Sequence, residues 1–321
     1  MLRMTLTQLS TFVLVARLGS VKAAAGALGV SEPAVSQALS ALRQHLGDPL
    51  IERAGTGMRL TPAGTRLLPV ASQMVSLGAD AEAAVRAGQG APEQLRVVAS
   101  SAVVEFVAPP LVDTFAAQSG HKIETSSGVA ASDEMPVLVG NRFADVAIGP
   151  NIGADRASEL HSEPVFRARL ILVASGSTLP HGPPDRWPWL VDPSVTDPDS
   201  DYARLLRRLH VNEAKTRVFP NQTAAWAAAA DGAGVAPAIA HLVSDRVRRG
   251  ELRVVDTSIT PIETTWYATA LPPERRSTAA DKFLHFLHTA TAMRVIRKPG
   301  AGVPPSRFRP PIYVTLWNAP D

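Results

Sequence analysis

The apolar positions of the first 64 residues predict two short helices joined by a tight turn. Ser20 and Ser31 each precede an apolar-periodic run, as helix N-caps do, and Gly29 between the runs can adopt the positive φ that ends a helix. Residues of the second run recur at steps of four, three and four on one face: Val35, Leu39, Leu42 and Leu46. This spacing is typical of a helix-turn-helix.

The rest of the second helix carries side chains that suit contact with nucleic acid. Short hydroxyls and amides can read base edges in a major groove, while arginines on a wing around Gly55-Thr56-Gly57 would lie near phosphates or the minor groove. The predicted DNA-contacting residues are Ser31, Pro33, Ala34, Ser36, Gln37, Ser40, Arg53 and Arg59. The alternative is a three-helix packing module whose polar side chains are only solvated.

A long helix is predicted from Pro62 to about Gly88, with Thr61 as its N-cap. Its apolar residues repeat as a heptad: Leu67, Met74 and Ala81, with Val70 or Ala71, Leu77 and Val85 between them. Such a narrow seam predicts a partner helix, and therefore a homo-oligomer. The alternative is packing on its own domain. The residues 88–92 then break the helix as a hinge.

From Leu95 onwards, short apolar runs alternate with helical stretches, which predicts a parallel sheet of βαβ units. Strands are expected at 95–99, 122–126 and 144–149, with one helix running from Ser100-Ser101 past Phe115. A crossing strand at 164–173 and a returning strand at 262–267 would enclose a second lobe. Two lobes with two crossovers predict a clamp that holds a ligand between them.

The ligand residues are expected where strands end, because open α/β sheets bind ligands at that edge. They are Ser100, Ser101, Ala102, Gly128, Val129 and Gly149 in the first lobe, and Asn221 and Thr223 in the second. A helix N-terminus at that edge favours an anion. Helix capping is the alternative for the serines and for Asn221 and Thr223. The loop 187–202 either covers the cleft or, the favoured interpretation, is a surface loop anchored by Trp187 and Trp189.

Composition narrows the function classes. The 321 residues include no cysteine, which excludes disulfides and thiolate metal sites, and we find no catalytic motif, so no enzyme activity, metal or cofactor is predicted. Residues 1–66 carry a net charge of +4 and the last 29 residues another +4, although the whole chain is only +3. Phosphate binding is therefore expected at the ends of the chain. With no signal-type or membrane-spanning run, we expect a cytoplasmic protein without a membrane partner.

The N-terminal pattern as a whole resembles the LysR-type transcriptional regulators. The residues that carry the resemblance run without a gap: Leu9, Phe12, Val15, Gly19-Ser20, Ala24-Ala25, Leu28, Ser31, Ala34-Val35-Ser36, Leu42, Leu46-Gly47, Leu50, Arg53, Leu60-Thr61 and Ala63-Gly64. Arg43 and Ile51 depart from the family pattern, away from the base-reading face. The resemblance implies an all-α winged helix-turn-helix followed by an α/β effector domain, a bilobal periplasmic-binding-protein-like type 2 clamp of two Rossmann-like subdomains.

The expected organisation follows from these elements. Residues 1–64 form the DNA-binding domain, 65–91 the dimerising linker helix, and 92–292 the effector domain, with lobe I at 92–164 and 266–292 and lobe II at 165–265. The basic, proline-rich tail is 293–321, whose residues 312–317 are β-prone and are hypothesised to dock as an edge strand.

The function that the resemblance implies is promoter binding controlled by a small-molecule effector, taken to be an anion. The protein would act as a dimer or tetramer on double-stranded promoter DNA, with RNA polymerase as an open further partner. Two alternatives remain: a solute-binding or enzymatic protein built on the same clamp, and a DNA-binding protein whose cleft is vestigial.

Overall fold

The N-terminal domain is a winged helix-turn-helix. The computed structural model describes residues 4–54, 57–120, 122–152, 159–177 and 180–297. The first elements are α1 Leu6–Leu18, α2 Val21–Leu28, α3 Glu32–Leu46, β1 Ile51–Ala54 and β2 Gly57–Leu60. The hydroxyl oxygens of Ser20 and Ser31 accept hydrogen bonds from backbone N–H groups at 3.2 and 3.4 Å, and Gly29 ends α2 with φ of 66°. The predicted caps and turn are thus confirmed.

The packing face of α3 is shorter than the periodicity suggests. Val35, Leu39 and Leu42 are buried against the other helices, but Leu46 is 39% exposed. Leu46 lies on the same face one turn further along, where the helix ends at Gly47, so its prediction as a packing residue was wrong. The wing strands β1 and β2 pair antiparallel as expected. The residues 55–56 of the predicted wing turn lie outside the described residues.

The long linker helix α4 spans Pro62–Gly88. Its start is fixed by Thr61, whose hydroxyl oxygen accepts the N–H of Gly64 at 2.9 Å. Gly64 is required there, since a Cβ atom would lie 2.1 Å from the carbonyl oxygen of Leu50. The residue before the wing and the start of the linker helix are therefore in close backbone contact.

Two faces of α4 have different surroundings. Ala71 and Val75 are buried in the core shared with α1, so part of the helix packs on its own domain, as the alternative held. A second face stays uncovered within the chain. This apolar seam consists of Val70, Met74, Leu77 and Val85, which are 51%, 38%, 66% and 59% exposed. The large side chains of this seam therefore remain uncovered within the chain, whereas Leu67 of the predicted heptad packs against the core.

The second domain has an α/β architecture. Its strands are β3 Glu93–Ala99, β4 Ile123–Val129, β5 Val146–Gly149, β6 His161–Ser175, β7 Trp189–Val191, β8 Thr216–Val218, β9 Ala236–Ile239, β10 Leu252–Val255 and β11 Ile262–Ala270. Its helices are α5 Ser101–Phe106, α6 Ala108–Gln118, α7 Met135–Gly140, α8 Asp201–Arg208, α9 Gln222–Ala230, α10 Ala240–Arg248, α11 Thr278–Leu287 and α12 Ala290–Arg297. Seven strands of the described chain form one sheet in the order β10-β6-β11-β5-β3-β4, with β9 also on β6.

The long antiparallel strands β6 and β11 join two lobes. The first lobe contains the parallel strands β3, β4 and β5, with β5 beside the end of β11. The second lobe contains β7 to β10 and the helices α8 to α10, with β9 and β10 beside the end of β6. The register of the two long strands shifts between Trp266 and Tyr267. The two lobes joined by these strands confirm the predicted bilobal clamp and its crossovers.

Two expectations for this domain need correction, and a third cannot be compared with the structure. The single helix after Ser100 is two helices, because Val107 leaves helical geometry and Pro109-Pro110 occupy the first turn of α6. The helix α12 continues to Arg297 with Ile296 buried, so ordered structure extends beyond residue 293. The docking hypothesis for residues 312–317 lies outside the described residues.

Candidate functional site

A cleft lies between the two lobes, and the space within it is about 690 Å³ when the part open to solvent is included. It sits at the carboxyl ends of the parallel strands β3, β4 and β5, the edge where open α/β sheets bind ligands. The residues lining it are Ser100, Ser101, Ala102, Val129, Ala130, Ala131, Ser132, Pro150, Ser194, Asp197, Ser200, Asp201, Tyr202, Ile239 and Trp266. Both lobes and the crossing strand β11 therefore contribute to one site.

Hydrogen bonds to carboxylates join the lobes on two sides of the cavity. The Ser101 hydroxyl donates to Asp192 Oδ2 at 2.7 Å, and the Ser194 hydroxyl donates to the other oxygen of Asp192 at 2.6 Å. The N–H of Ser132 donates to Asp197 Oδ2 at 2.9 Å. A ligand that separates or draws together the lobes must change these contacts.

A third contact between the lobes is centred on Glu105, which is only 9% exposed. Its carboxylate accepts the N–H groups of Gln222 and Thr223 at 3.0 and 2.8 Å and the Thr223 hydroxyl at 2.5 Å. Next to it, the rings of Phe106 and Trp226 stack at 4.9 Å. A side chain of the first lobe thus satisfies the free N–H groups at the start of α9 in the second lobe.

The structure brings together half of the predicted ligand residues. Ser100, Ser101, Ala102 and Val129 line the cavity, and Ser101 bonds to the other lobe instead of capping its own helix. Four others do not line it: Gly128, Gly149, Asn221 and Thr223.

The two residues predicted from the second lobe have other partners. Asn221 caps α9 by accepting the N–H of Ala224 at 2.9 Å, as the capping alternative held, and Thr223 is bound to Glu105. Gly149 lies just behind the cavity wall, since a Cβ atom there would be 3.7 Å from the Cβ of Ser100. These positions lie near the cleft in sequence but not on its surface.

The loop after β7 supplies the second-lobe wall that sequence reasoning placed elsewhere. Trp187 and Trp189 are buried and anchor the loop, as expected. The residues after them line the cavity, so the favoured interpretation of a plain surface loop was wrong. The sequence did contain a signal for this wall. The acids Asp197 and Asp201 and the aromatic residue Tyr202 closely follow the two tryptophans that anchor the loop.

Burial shifts the pKa of several acidic groups around the cavity. It raises the pKa of Asp192 and Glu105, and it raises the pKa of Tyr202 well above its usual range, with Asp192 adding to the effect. None of the described residues that line the cavity is basic. The expected anionic effector therefore finds no positive side chain in this cavity. The helix whose N-terminus was expected to attract the anion is α5, and it has only six residues.

Glu134, directly before α7, predicts a pH-dependent stability. Burial raises its pKa to about 7, with Asp133 and Asp197 adding to the effect. A carboxyl with a raised folded pKa stabilises the fold below its unfolded pKa, and that stability is lost as the pH rises towards 7. Relative to Glu134→Gln, the unmodified protein should lose on the order of 2 kcal/mol of unfolding free energy from about pH 5.5 to about pH 7.5.

Urea titrations of both proteins across this range measure the difference. The glutamine retains an oxygen that can accept the N–H of Ala131, which Glu134 Oε2 accepts at 2.9 Å. Parallel pH profiles for the two proteins would contradict the assignment.

The predicted DNA-contacting residues of α3 share an exposed surface. The residues Ser31, Pro33, Ala34, Ser36, Gln37 and Ser40 are all exposed, while the opposite face is buried. Arg59 on β2 is also exposed, with Glu52 at 3.9 Å. Arg53 lies on β1, but its side chain is outside what the structure describes.

The described residues contain neither a membrane-spanning helix nor a cluster of metal ligands. No helix among them combines the length and the apolar character needed to cross a bilayer. Among the described residues, no group of three or more His, Asp or Glu side chains is arranged to hold a metal ion.

The fold and the two sites define a DNA-binding regulator with an effector domain, and comparison with known families agrees. Residues 6–65 match the model for bacterial regulatory helix-turn-helix proteins of the lysR family. Residues 88–292 match the model for the LysR substrate binding domain. The chain therefore belongs to the LysR family of DNA-binding transcriptional regulators.

Individual relatives cover nearly the whole chain. The HTH-type transcriptional regulator Rv0377 of Mycobacterium tuberculosis H37Rv is 32% identical over 325 residues, covering 98% of this chain and all of Rv0377. PtxR of Pseudomonas aeruginosa is 31% identical over 258 residues, covering 78% of this chain and 81% of PtxR. The family assignment thus extends over both domains.

Solved structures show the same fold at lower identity. A full-length variant of AphB has a TM-score of 0.59 at 18% identity, covering 88% of this chain and 98% of AphB. Full-length LysG of Corynebacterium glutamicum with bound effector Arg has a TM-score of 0.51 at 19% identity, covering 94% of this chain and all of LysG. The shared architecture spans the DNA-binding domain and the clamp.

Proposed function

We propose that α3 reads promoter DNA through its exposed polar face and that the interlobe cavity receives the effector that controls this binding. The observation that carries the proposal is the two-sided character of α3. Val35, Leu39 and Leu42 hold one side in the core, so Ser36, Gln37 and Ser40 project from a rigid support. A rigid helix with hydroxyl and amide groups on its free face suits the major groove.

The DNA interface is tested by two substitutions with different expected signatures. Gln37→Ala should remove a base contact and cost about 1–3 kcal/mol of discrimination between operator and altered sequences. Arg59→Ala should weaken binding to all DNA similarly and reduce the slope of log affinity against log salt by about 1, since it would lose one phosphate contact. Fluorescence anisotropy over a salt series, with operator DNA identified by footprinting, measures both.

The contrast between these variants is the control. Both positions are exposed, so neither substitution should change the thermal stability of the domain. Equal losses on every DNA sequence for Gln37→Ala would remove its base-reading role.

The protein is proposed to act as a homodimer joined by the apolar seam of α4. Four large apolar side chains of one helix remain exposed in the chain, and they recur at steps of four, three and eight. Exposed apolar residues in such a stripe favour a second copy of the same helix. A dimer would place two copies of α3 at a fixed spacing on a partly palindromic site.

The contacts of α7 support a link from the cavity to the DNA-binding domain. This helix begins three residues after Ser132, which lines the cavity, and its Leu138 packs in the core that contains α1. Just beyond α7, Arg142 Nε donates to Ser76 Oγ at 2.9 Å and Arg142 Nη1 lies 3.1 Å from Asp80 Oδ1, both on α4. A shift of the cavity wall would therefore be transmitted to the linker helix.

The proposed role is that of a regulator that is not an enzyme. The protein would bind its effector reversibly in the cytoplasm and catalyse no reaction. Contact with RNA polymerase is an extension of the same role and would be scored by transcription with purified polymerase. An effector-independent regulator would instead show no ligand stabilisation of its clamp.

A further inference from the structure

One wall of the interlobe cavity carries a carboxylate, Asp197, that forms no ion pair with the described residues. Asp197 accepts the N–H groups of Ser132 and Asp199, each at 2.9 Å and each on a different oxygen. A carboxylate oxygen can accept two hydrogen bonds, so both oxygens retain a free lone pair. Among the described residues, no Lys, Arg or His forms an ion pair with Asp197.

The second carboxyl group, Asp192, lies behind the same wall, and its burial raises its pKa, which disfavours the charged form. It is 3% exposed and lies beneath Ser101 and Ser194, whose neutral hydroxyls are its side-chain hydrogen-bond donors in the described chain. Asp201 differs, since Arg204 Nη2 lies 2.6 Å from its Oδ1. Charges in a protein interior are ordinarily paired, so a carboxylate left unpaired at a ligand cavity selects a ligand of opposite charge.

The other walls complete the chemistry of the ligand. Trp266 and Tyr202 line the cavity beside the apolar side chains of Val129 and Ile239, and aromatic faces attract organic cations. His241 packs against Trp266 with the ring centroids 5.7 Å apart, and burial lowers the pKa of His241 to about 4. The imidazole therefore adds no positive charge at neutral pH.

We propose that the effector is a small organic cation whose ammonium or guanidinium group binds Asp197 and whose apolar body lies against Trp266 and Ile239. This inference rests on the proposed function of the cavity as the effector site and names the ligand class. The serine hydroxyls of the wall can accept the remaining N–H donors of such a group.

Three probes with the same number of carbon atoms separate the charge classes. Thermal unfolding of the full chain is measured with about 10 mM n-butylammonium, 1-butanol or butyrate near neutral pH. We expect butylammonium to raise Tm and the other two to leave it unchanged. Stabilisation by butyrate or butanol equal to that by butylammonium would overturn the proposal, as would no stabilisation by butylammonium.

Two variants locate the charge. Asp197→Asn should weaken butylammonium binding, measured by calorimetry, by about tenfold or more, because one of the ligand's charge-assisted hydrogen bonds is lost. Asp199→Asn removes the same charge from the same loop at a residue that does not line the cavity, and it should retain binding. Equal affinity of Asp197→Asn and the unmodified protein would overturn the assignment.

DNA-binding measurements on the same samples test the proposed regulatory function separately from the proposed ligand class. Specific footprints together with a failed butylammonium response would reject the ligand class alone. Absence of specific DNA binding would reject the proposed function, and the three-probe comparison would still decide which charge the cavity accepts.

Discussion

Leu77→Asp is expected to convert the protein to monomers and to weaken binding to a two-half-site operator by at least about 100-fold, because the gain from joining two binding modules is lost. Leu77 is 66% exposed in the single chain, so the substitution should cost the fold of the monomer little. In a dimer, the new carboxylate would be buried without a partner. Analytical ultracentrifugation gives the oligomeric state, and anisotropy with operator DNA gives the affinity.

A matched control adds the same charge to the same helix. Ala83 is exposed and lies about 120° around α4 from Leu77 at 100° per residue, away from the apolar seam. Ala83→Asp should therefore remain dimeric and bind operator DNA normally. A Leu77→Asp protein that sediments as a dimer would exclude the seam as the dimer interface.

Glu105→Ala is expected to destabilise the effector domain by about 3 kcal/mol, because three donors at the start of α9 lose their buried acceptor. The loss should fall on the contact between the lobes, so the variant should also be cleaved faster by protease in the strands that cross between them. Urea denaturation and limited proteolysis measure the two effects.

Two comparisons show whether the carboxylate itself matters. Thr223→Val removes the hydroxyl donor alone and should cost about 1 kcal/mol. Glu124→Ala removes an exposed carboxylate whose Oε2 lies 3.4 Å from Arg86 Nη2, and it should cost less than about 1 kcal/mol. If Glu105→Ala were no more harmful than Glu124→Ala, Glu105 would not hold the lobes together.

The helices of the DNA-binding domain and the linker could be predicted because their signals are local. Caps such as Ser20 and Ser31 act on N–H groups three residues away, and periodicity alone shows which side of α3 is buried. Leu46 was wrongly predicted to be packed, because periodicity shows which face of a helix is buried and not where the helices packed against that face end. The break at Val107 was also written locally, in Pro109-Pro110.

The candidate site was predictable only on the side built from strand ends. Ser100 and Ser101 follow β3 directly and Val129 is the last residue of β4, so the topology places them at the sheet edge. The opposite wall comes from a loop whose path depends on where Trp187 and Trp189 are buried. Asn221 and Thr223 stand at a helix start, where ligand residues are expected. In the structure, Glu105, more than 100 positions earlier in the chain, accepts the free N–H groups of that helix.

The sequence by itself determined the two-domain organisation, the exposed polar face of α3 and the uncovered seam of α4, since each follows from neighbours within one or two helical turns. Only the tertiary structure decided the charge of the cavity. The walls come from the turn after β3, the end of β4 and the loop after β7. The carboxylates of that loop meet the serines of the first lobe because two crossing strands bring the lobes together. No local pattern encodes that meeting, because the sign of a cavity is the sum over residues far apart in the chain.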